Sequence, residues 1–371
     1  KLLGGSGDDE LDGGAGADQV KGGSNDDTLE GGRGDDDIRG GSGSNTVSYE
    51  SSPSGVTVNL QEATASGDGN DTLVEIDDVL GSDHNDTIHG DAGNNRLNGG
   101  DGNDYLFGNR GSNSLFGGNG NDTLASGFGH ANPKSSTAFT GGAGTDMLTY
   151  RQFTGFSIRM DLLAGTVLTQ HGTDTVRDHF AVVEGTKFGD TIVGSDNAER
   201  IMGGAGSDTL RGGGGNDSMY GEDGDDHMWG DAGNDIMYGG NDDDFLYGKV
   251  GNNSIWAGNG DDYITGNEGD DRTYGEAGND TAYGNEGNDY VHGGHGNDTL
   301  DGGLGADAVY GFSGNDTLYG GQTNSVIKKD YARDTLNGGN EHDHIFVART
   351  AFIREDLIQA GEKFTYWDHL V

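Results

Sequence analysis

A fixed nine-residue period runs through residues 185–319 and constrains the fold more than any other property of the chain. In register, successive units read GGAGSDTLR from Gly203, GGGGNDSMY from Gly212, GEDGDDHMW from Gly221 and GDAGNDIMY from Gly230, and they continue to GFSGNDTLY, which ends at Tyr319. The shared pattern is Gly-Gly-x-Gly-x-Asp-x-U-x, with U a large apolar residue. So short a period describes stacked modules, because one such unit cannot bury its own apolar face and needs neighbours above and below.

Glycine at positions one, two and four opens backbone angles closed to other residues, which predicts a tight loop over the first six positions. The last three positions predict a strand. Its middle side chain, such as Leu210, Met219, Met228 or Leu246, faces one way while its two neighbours face the other. Two units then make a flattened coil of about 18 residues with strands on opposite sides and loops at both edges, each coil stacked about 4.8 Å from the next. One apolar side chain per nine ordered residues is a thin core.

The missing stabilisation is expected at position six. In the long array Asp190, Asp208, Asp217, Asp226, Asp235, Asp244, Asp262, Asp271, Asp280, Asp289, Asp298, Asp307 and Asp316 hold that phase. Carboxylates stacked a few ångströms apart repel unless a hard dication sits between the loops and takes oxygens from Asp and from backbone carbonyls. Calcium suits such a site better than magnesium, since it tolerates six to eight oxygens in irregular geometry.

The pattern resembles the GGxGxDxUx nonapeptide of the RTX (repeats-in-toxin) family, in roughly 27 copies, some degenerate. The resemblance implies an all-β fold, a parallel β-roll that is a right-handed solenoid of these nonapeptides. It also implies calcium between the loops, export through a type I secretion channel in an unfolded state, and folding outside the cell. Composition and period alone reach only a glycine-rich, cation-dependent solenoid.

Composition without the period would argue for disorder: 75 Gly, 30% hydrophobic residues and a net charge of −43. A chain this acidic repels nucleic acid and anionic membrane surfaces, so neither is expected as a partner. No stretch approaches about eighteen apolar residues, so no membrane span is expected. With 0 Cys there are no disulfides, zinc thiolates or catalytic thiols. Calcium is expected to replace disulfides as the staple of a secreted or cell-surface protein.

Taken in order, residues 1–48 form a first block, with Asp9, Asp18, Asp27 and Asp36 at the ligand position and Asn45 at the fifth. Lys1 is not a methionine and Leu2 falls on the apolar slot of a unit lacking its first half, which suggests a piece of a longer chain. The period breaks over 49–80, where Val56, Val58 and Leu60 alternate as in a strand. A second block spans 81–149, with Asp86, Asp104, Asp122 and Asp146 in place, Asn95 and Asn113 replacing Asp, and a polar loop at 126–140. The break at 150–184 repeats the first: Val47-Ser48-Tyr49 matches Leu148-Thr149-Tyr150, and Asp71-Thr72-Leu73 matches Asp174-Thr175-Val176. Both breaks are expected to be linkers in which strands continue the roll.

The third block, 185–346, includes Glu199 and Asn253 at ligand positions and a last unit with Asp343; its register is expected to weaken at Thr273 and Ala282, where small residues fill the apolar slot. An Asn oxygen is expected to ligate calcium more weakly, for want of charge. Residues 347–371 are expected to cap the open end of the last coil, and their terminus Asp368-His369-Leu370-Val371 resembles that of some type I secretion substrates. About 19 calcium ions would fit between the loops and nearly cancel the net charge.

Aromatic residues recur at position nine. They are expected to stack in two outward ladders, one of Tyr220, Tyr238, Trp256 and Tyr274 and one of Trp229, Tyr247 and Tyr283, which stiffen the sheets or offer a contact surface. His342 and His344 sit together but have no third ligand at metal spacing. There is no His-Glu-x-x-His and no Gly-x-Ser-x-Gly, so no enzyme is expected in this chain. The expected function is structural: a calcium-loaded rod for a surface layer, adhesin or filament, with self-association or a cell-surface partner. The alternative is the secretion and folding module of a larger RTX toxin or hydrolase, its catalytic domain lying upstream.

Overall fold

The computed structural model describes residues 1–127, 136–153 and 155–320, together with the strands Thr335–Asn337, His344–Val347 and Lys363–Tyr366 as backbone. Asp343, His342, most of the 126–140 loop and most of the 347–371 cap lie outside the described residues. All described regular structure is β. The chain divides into two units, Lys1–Thr186 and Lys187–Val371.

In the second unit the strands pair in parallel at a step of 18 residues: Leu210 lies opposite Met228, Met228 opposite Leu246, and in the other sheet Met219 opposite Met237 and Met237 opposite Ile255. Alternate nonapeptides thus build opposite sheets of a β-solenoid, the roll that the period implies. The strands are longer than the expected three residues. Thr209–Gly214 runs from position seven of one unit to position three of the next, because the backbone of the glycine-rich half keeps the ladder going, with Gly213 opposite Asp231 and Gly214 opposite Ala232. The loop proper shrinks to positions four to six.

Within each strand position eight and the following position one turn inward. Leu210, Met219, Met228, Met237, Leu246 and Ile255 are all fully buried, and the buried glycines between them let the two sheets close. The register does not weaken at Thr273 and Ala282, which stay opposite Ile255 and Leu300 and are both fully buried. The loops, not the size of the core side chain, therefore set the phase. Beyond Tyr319 the step lengthens from 18 to 27 residues, Ala308 pairing with Thr335 and Thr317 with His344.

The first unit begins the same way, with Val20 opposite Ile38 and Leu11 opposite Leu29. Its two breaks add strands to one sheet only. Thr57–Asn59, Thr64–Ser66 and Asn70–Val74 form an antiparallel meander whose outer strands pair in parallel with Thr87–His89 and Asp37–Ser42. The opposite sheet passes directly from Thr46–Ser48 to Asp78–Leu80. Arg159–Asp161, Thr166–Thr169 and Gly172–Val176 form the same meander in the second break, while Met147–Thr149 pairs directly with Val182–Glu184.

On the outer face Tyr220, Tyr238, Trp256 and Tyr274 stack as the sequence suggests, with centroids 5.1, 4.9 and 5.3 Å apart and planes within 12°. The second ladder is shorter: Trp229 stacks on Tyr247 at 5.5 Å, but Thr265 takes the next rung and Tyr263, from position seven, leans across to Tyr283. Rings that stack on one another turn their edges outward and bury their faces.

The Thr273 hydroxyl is buried in the core between Ile255 and Val291 of the adjacent coils with no hydrogen-bond partner, a penalty of about 1–3 kcal/mol. Thr273→Val is expected to stabilise the calcium-loaded protein by about 1 kcal/mol in thermal or urea unfolding; unchanged or lower stability would show that the slot is not apolar.

Candidate metal centre

Each loop turns on a close approach between coils. At Gly233, position four, φ is +144° and an added methyl would lie 1.4 Å from the carbonyl oxygen of Gly215 in the preceding coil, so only glycine fits. At position one φ is ordinary and space alone decides. A methyl on Gly212 would lie 2.4 Å from Asp217 Oδ2 and 2.6 Å from the carbonyl oxygen of Gly230 in the next coil; Ala257 is the exception in this array.

The position-six carboxylates are buried here and divide their two oxygens between two tasks. Oδ1 accepts the backbone N–H of position six in the preceding coil: Asp208 N–H to Asp226 at 2.7 Å, Asp217 to Asp235 at 2.8 Å, Asp226 to Asp244 at 2.8 Å, Asp244 to Asp262 at 2.7 Å, Asp262 to Asp280 at 2.9 Å and Asp271 to Asp289 at 2.8 Å. Asp298, Asp307, Asp316 and, from Asp190, Asp208 accept in the same way. In the first unit Asp27, Asp36, Asp104, Asp122 and Asp146 do so too.

The second oxygen is different. Oδ2 of Asp9, Asp27, Asp36, Asp104, Asp122, Asp208, Asp217, Asp226, Asp235, Asp244, Asp262, Asp271, Asp280, Asp289 and Asp298 is buried without a hydrogen-bond partner. It lies beside position one of its own unit, where the position-one carbonyl oxygen of the next coil also converges. At Gly221, for example, the same point is 2.1 Å from Asp226 Oδ2 and 2.5 Å from the Gly239 oxygen; at Gly275 it is 2.2 Å from Asp280 Oδ2 and 2.5 Å from the Gly293 oxygen. A buried carboxylate oxygen without a donor, with a carbonyl oxygen nearby, is a misfit for protein alone, and a hard cation between the coils would supply the charge it lacks. No group of three or more acidic or His side chains gathers among the described residues, so the donor set on offer is carboxylate plus backbone carbonyl, which is calcium chemistry rather than zinc chemistry.

The remaining positions deviate for visible reasons. Asp18 is half-buried and its Oδ1 pairs with the Lys1 amino terminus at 3.3 Å. Asp86 is fully engaged, accepting from Val56 N–H at 2.7 Å and from Ser82 N–H and hydroxyl at 2.6 and 2.8 Å. At Asn45, Asn113 and Asn253 the amide nitrogen takes the place beside position one that Oδ2 holds elsewhere, while Asn95 keeps its oxygen there. Asn253 Oδ1 takes the lacing bond from Asp235 N–H, and its NH2 donates to the Gly251 carbonyl at 3.1 Å; Asn113 NH2 donates to Gly108 and Arg110 carbonyls. The amide supplies the donor that the carboxylate lacks.

Burial, with neighbouring carboxylates adding to it, pushes Asp208, Asp244, Asp280 and Asp289 up to about 8 and Asp217 and Asp226 to about 7. A pair of groups went unnoticed in the sequence. At position five, Asn216 Oδ1 accepts Asn234 N–H, Asn234 accepts Asn252 N–H and Asn252 accepts Asp270 N–H, at 2.7–2.8 Å. This exposed ladder runs opposite in sense to that of position six, so each loop is laced to the coils on both sides. Its signal was the Asn or Asp that so often precedes the invariant Asp. The other is a Tyr–Asp bond in each break, from Tyr49 to Asp71 and from Tyr150 to Asp174.

The RTX calcium-binding nonapeptide repeat, in its four-copy form, matches residues 1–29, 12–47, 80–115, 99–130, 182–210, 193–226, 202–237, 211–246, 238–273, 274–309 and 295–327. A search of curated proteins found no match.

Carboxyls held above their unfolded value of 3.8 stabilise the cation-free fold fully below that pH, and the contribution is lost as pH rises through the folded values of about 6 to 8. With a chelator present, β structure by circular dichroism is therefore expected to increase as pH falls from 8 to 5. Calcium uptake is expected to weaken over the same interval, because protons compete for the same oxygens. A cation-free spectrum that loses order in mild acid would contradict this.

Proposed function

Because these repeats cover more than half of it, the chain belongs to the RTX calcium-binding nonapeptide repeat family, and we propose that it is a secreted structural protein that folds on calcium outside the cell and serves there in cell-surface or extracellular assembly. The observation that carries this reading is the row of buried Asp Oδ2 atoms without a hydrogen-bond donor, several of them, as at Asp226, Asp235 and Asp280, close to a carbonyl oxygen of the next coil. Calcium, when bound, supplies the positive charge these oxygens lack and accepts side-chain and backbone ligands together.

The holders are the position-six aspartates of the repeat blocks, 1–48, 81–149 and 185–346, with Asp343 of the last unit among them, together with the carbonyls of position one. Residues 49–80 and 150–184 act as linkers and 347–371 as the cap. Without the cation each added coil of the long array brings another buried acid close to the last, so the array stays unfolded where calcium is scarce and orders where it is abundant. The position-six acids are engaged in holding coils together, which supports a structural role. The aromatic ladders support stiffness: their faces are spent on one another and offer no flat platform on which a sugar ring could stack.

Circular dichroism is expected to show a large loss of β structure without calcium at neutral pH and its recovery above roughly 10⁻⁴–10⁻³ M, the range of extracellular modules. Retention of the full β spectrum in chelator at pH 7.5 would refute calcium-driven folding. Mass photometry is expected to show calcium-dependent self-association, and strict monomers at high calcium would remove the assembly role.

A further inference from the structure

The two breaks in the repeat place a tyrosine where the repeats leave an oxygen bare. Asp71 and Asp174 occupy the position-six phase: Oδ1 of Asp71 accepts Asp36 N–H at 3.0 Å and Oδ1 of Asp174 accepts Thr137 N–H at 2.6 Å. At Asp104, Asp122 and the position-six aspartates from Asp208 to Asp298 the other oxygen is buried without a partner. Here Oδ2 of Asp71 accepts the Tyr49 hydroxyl at 3.0 Å and Oδ2 of Asp174 accepts the Tyr150 hydroxyl at 2.7 Å. All four side chains are buried. The phenol also carries an apolar body into the coil: Tyr150 packs edge-on against the fully buried Phe139 and Phe153, with centroids 6.1 and 6.3 Å away.

We propose that Tyr49 and Tyr150 are built-in substitutes for the cation, so that the coils around the breaks form without calcium and serve as fixed ends for the calcium-dependent array. This rests on the reading that calcium binds between the remaining loops. A neutral hydroxyl donating to a carboxylate makes a charge-assisted hydrogen bond, which satisfies the oxygen that would otherwise need a metal, while the ring buries apolar surface that a nonapeptide does not offer. The neighbourhood of the first break is consistent throughout. Asp86 is saturated by Ser82 and Val56, and Asn95 donates its own NH2 to the Asp77 carbonyl at 2.8 Å. Between residues 45 and 113, Asp104 alone among the described residues has a buried carboxylate oxygen without a partner. From 208 to 298 every position-six Asp has one. Calcium dependence is thus graded along the chain, and the Asp71 and Asp174 positions take no ion.

Hydrogen exchange of the full chain, read by mass spectrometry across a calcium titration at pH 7.5, separates the possibilities. Peptides from 45–113 are expected to keep at least tenfold slowed exchange in chelator, while those from 208–298 exchange freely until calcium is added. Loss of protection in both regions together overturns the substitution. Protection of both in chelator overturns calcium-driven folding instead, so the two failures are distinguishable. Tyr49→Phe keeps the ring and removes the donor; it is expected to abolish the chelator-resistant protection of 45–113 and to recover it with calcium, which can then enter beside Asp71. Protection unchanged in chelator, or lost and not recovered by calcium, contradicts the proposal. Asn95→Asp, which removes the donor to the Asp77 carbonyl and leaves the Tyr49–Asp71 bond in place, is expected to make the same region need calcium, and no such change would count equally against it.

Discussion

A carboxylate with one oxygen committed to the preceding coil and the other buried against a carbonyl oxygen is the constraint on which this structure depends. The first bond fixes the register between coils at 18 residues, since position six can reach only its own counterpart. The second oxygen leaves a deficit of positive charge that grows with every coil added. Because the apolar core is one side chain deep per unit, hydrophobic burial cannot outweigh such a deficit. On the proposed reading the long array and its cations order as a single thermodynamic event, and the acidity that would make an ordinary chain disordered becomes the condition for ordering this one.

The glycines divide the remaining work. Position four favours glycine because another coil's carbonyl can occupy the place of its side chain, as at Gly233, with Asn25 and Asp242 as left-handed exceptions, whereas position two accepts Glu222, Asp231 or Lys249 in the same region. Position one is small so that the carboxylate and the next coil's carbonyl can approach the same point. Three glycines that look alike in the repeat thus answer three different physical demands.

Much of this was legible in the chain. The period gave the coil, the inward position of Leu210 or Met228, and the phase of Asp208 and its counterparts, because repetition converts sequence distance directly into contact. Reading the loop as six residues was too long, since local glycine content says nothing about whether its backbone pairs with the next coil. Thr273 and Ala282 were misread as weak points because the register was credited to the core, while it is kept by hydrogen bonds at the loops. At the Asn positions the sequence shows the missing charge but not the donor that comes with it, the amide nitrogen, as at Asn253. The antiparallel meanders, and the bonds from Tyr49 and Tyr150 that join residues 22 and 24 apart, had no period to reveal them; only the likeness of the two breaks to each other hinted at a shared design.

Crystals of the calcium-loaded protein, with anomalous difference density collected at long wavelength, test the central claim most directly. Peaks are expected between successive loops beside Oδ2 of Asp208, Asp226, Asp244 and their counterparts, with none beside Asp71 or Asp174. An ordered roll whose loops carry no anomalous density at these oxygens would contradict the account.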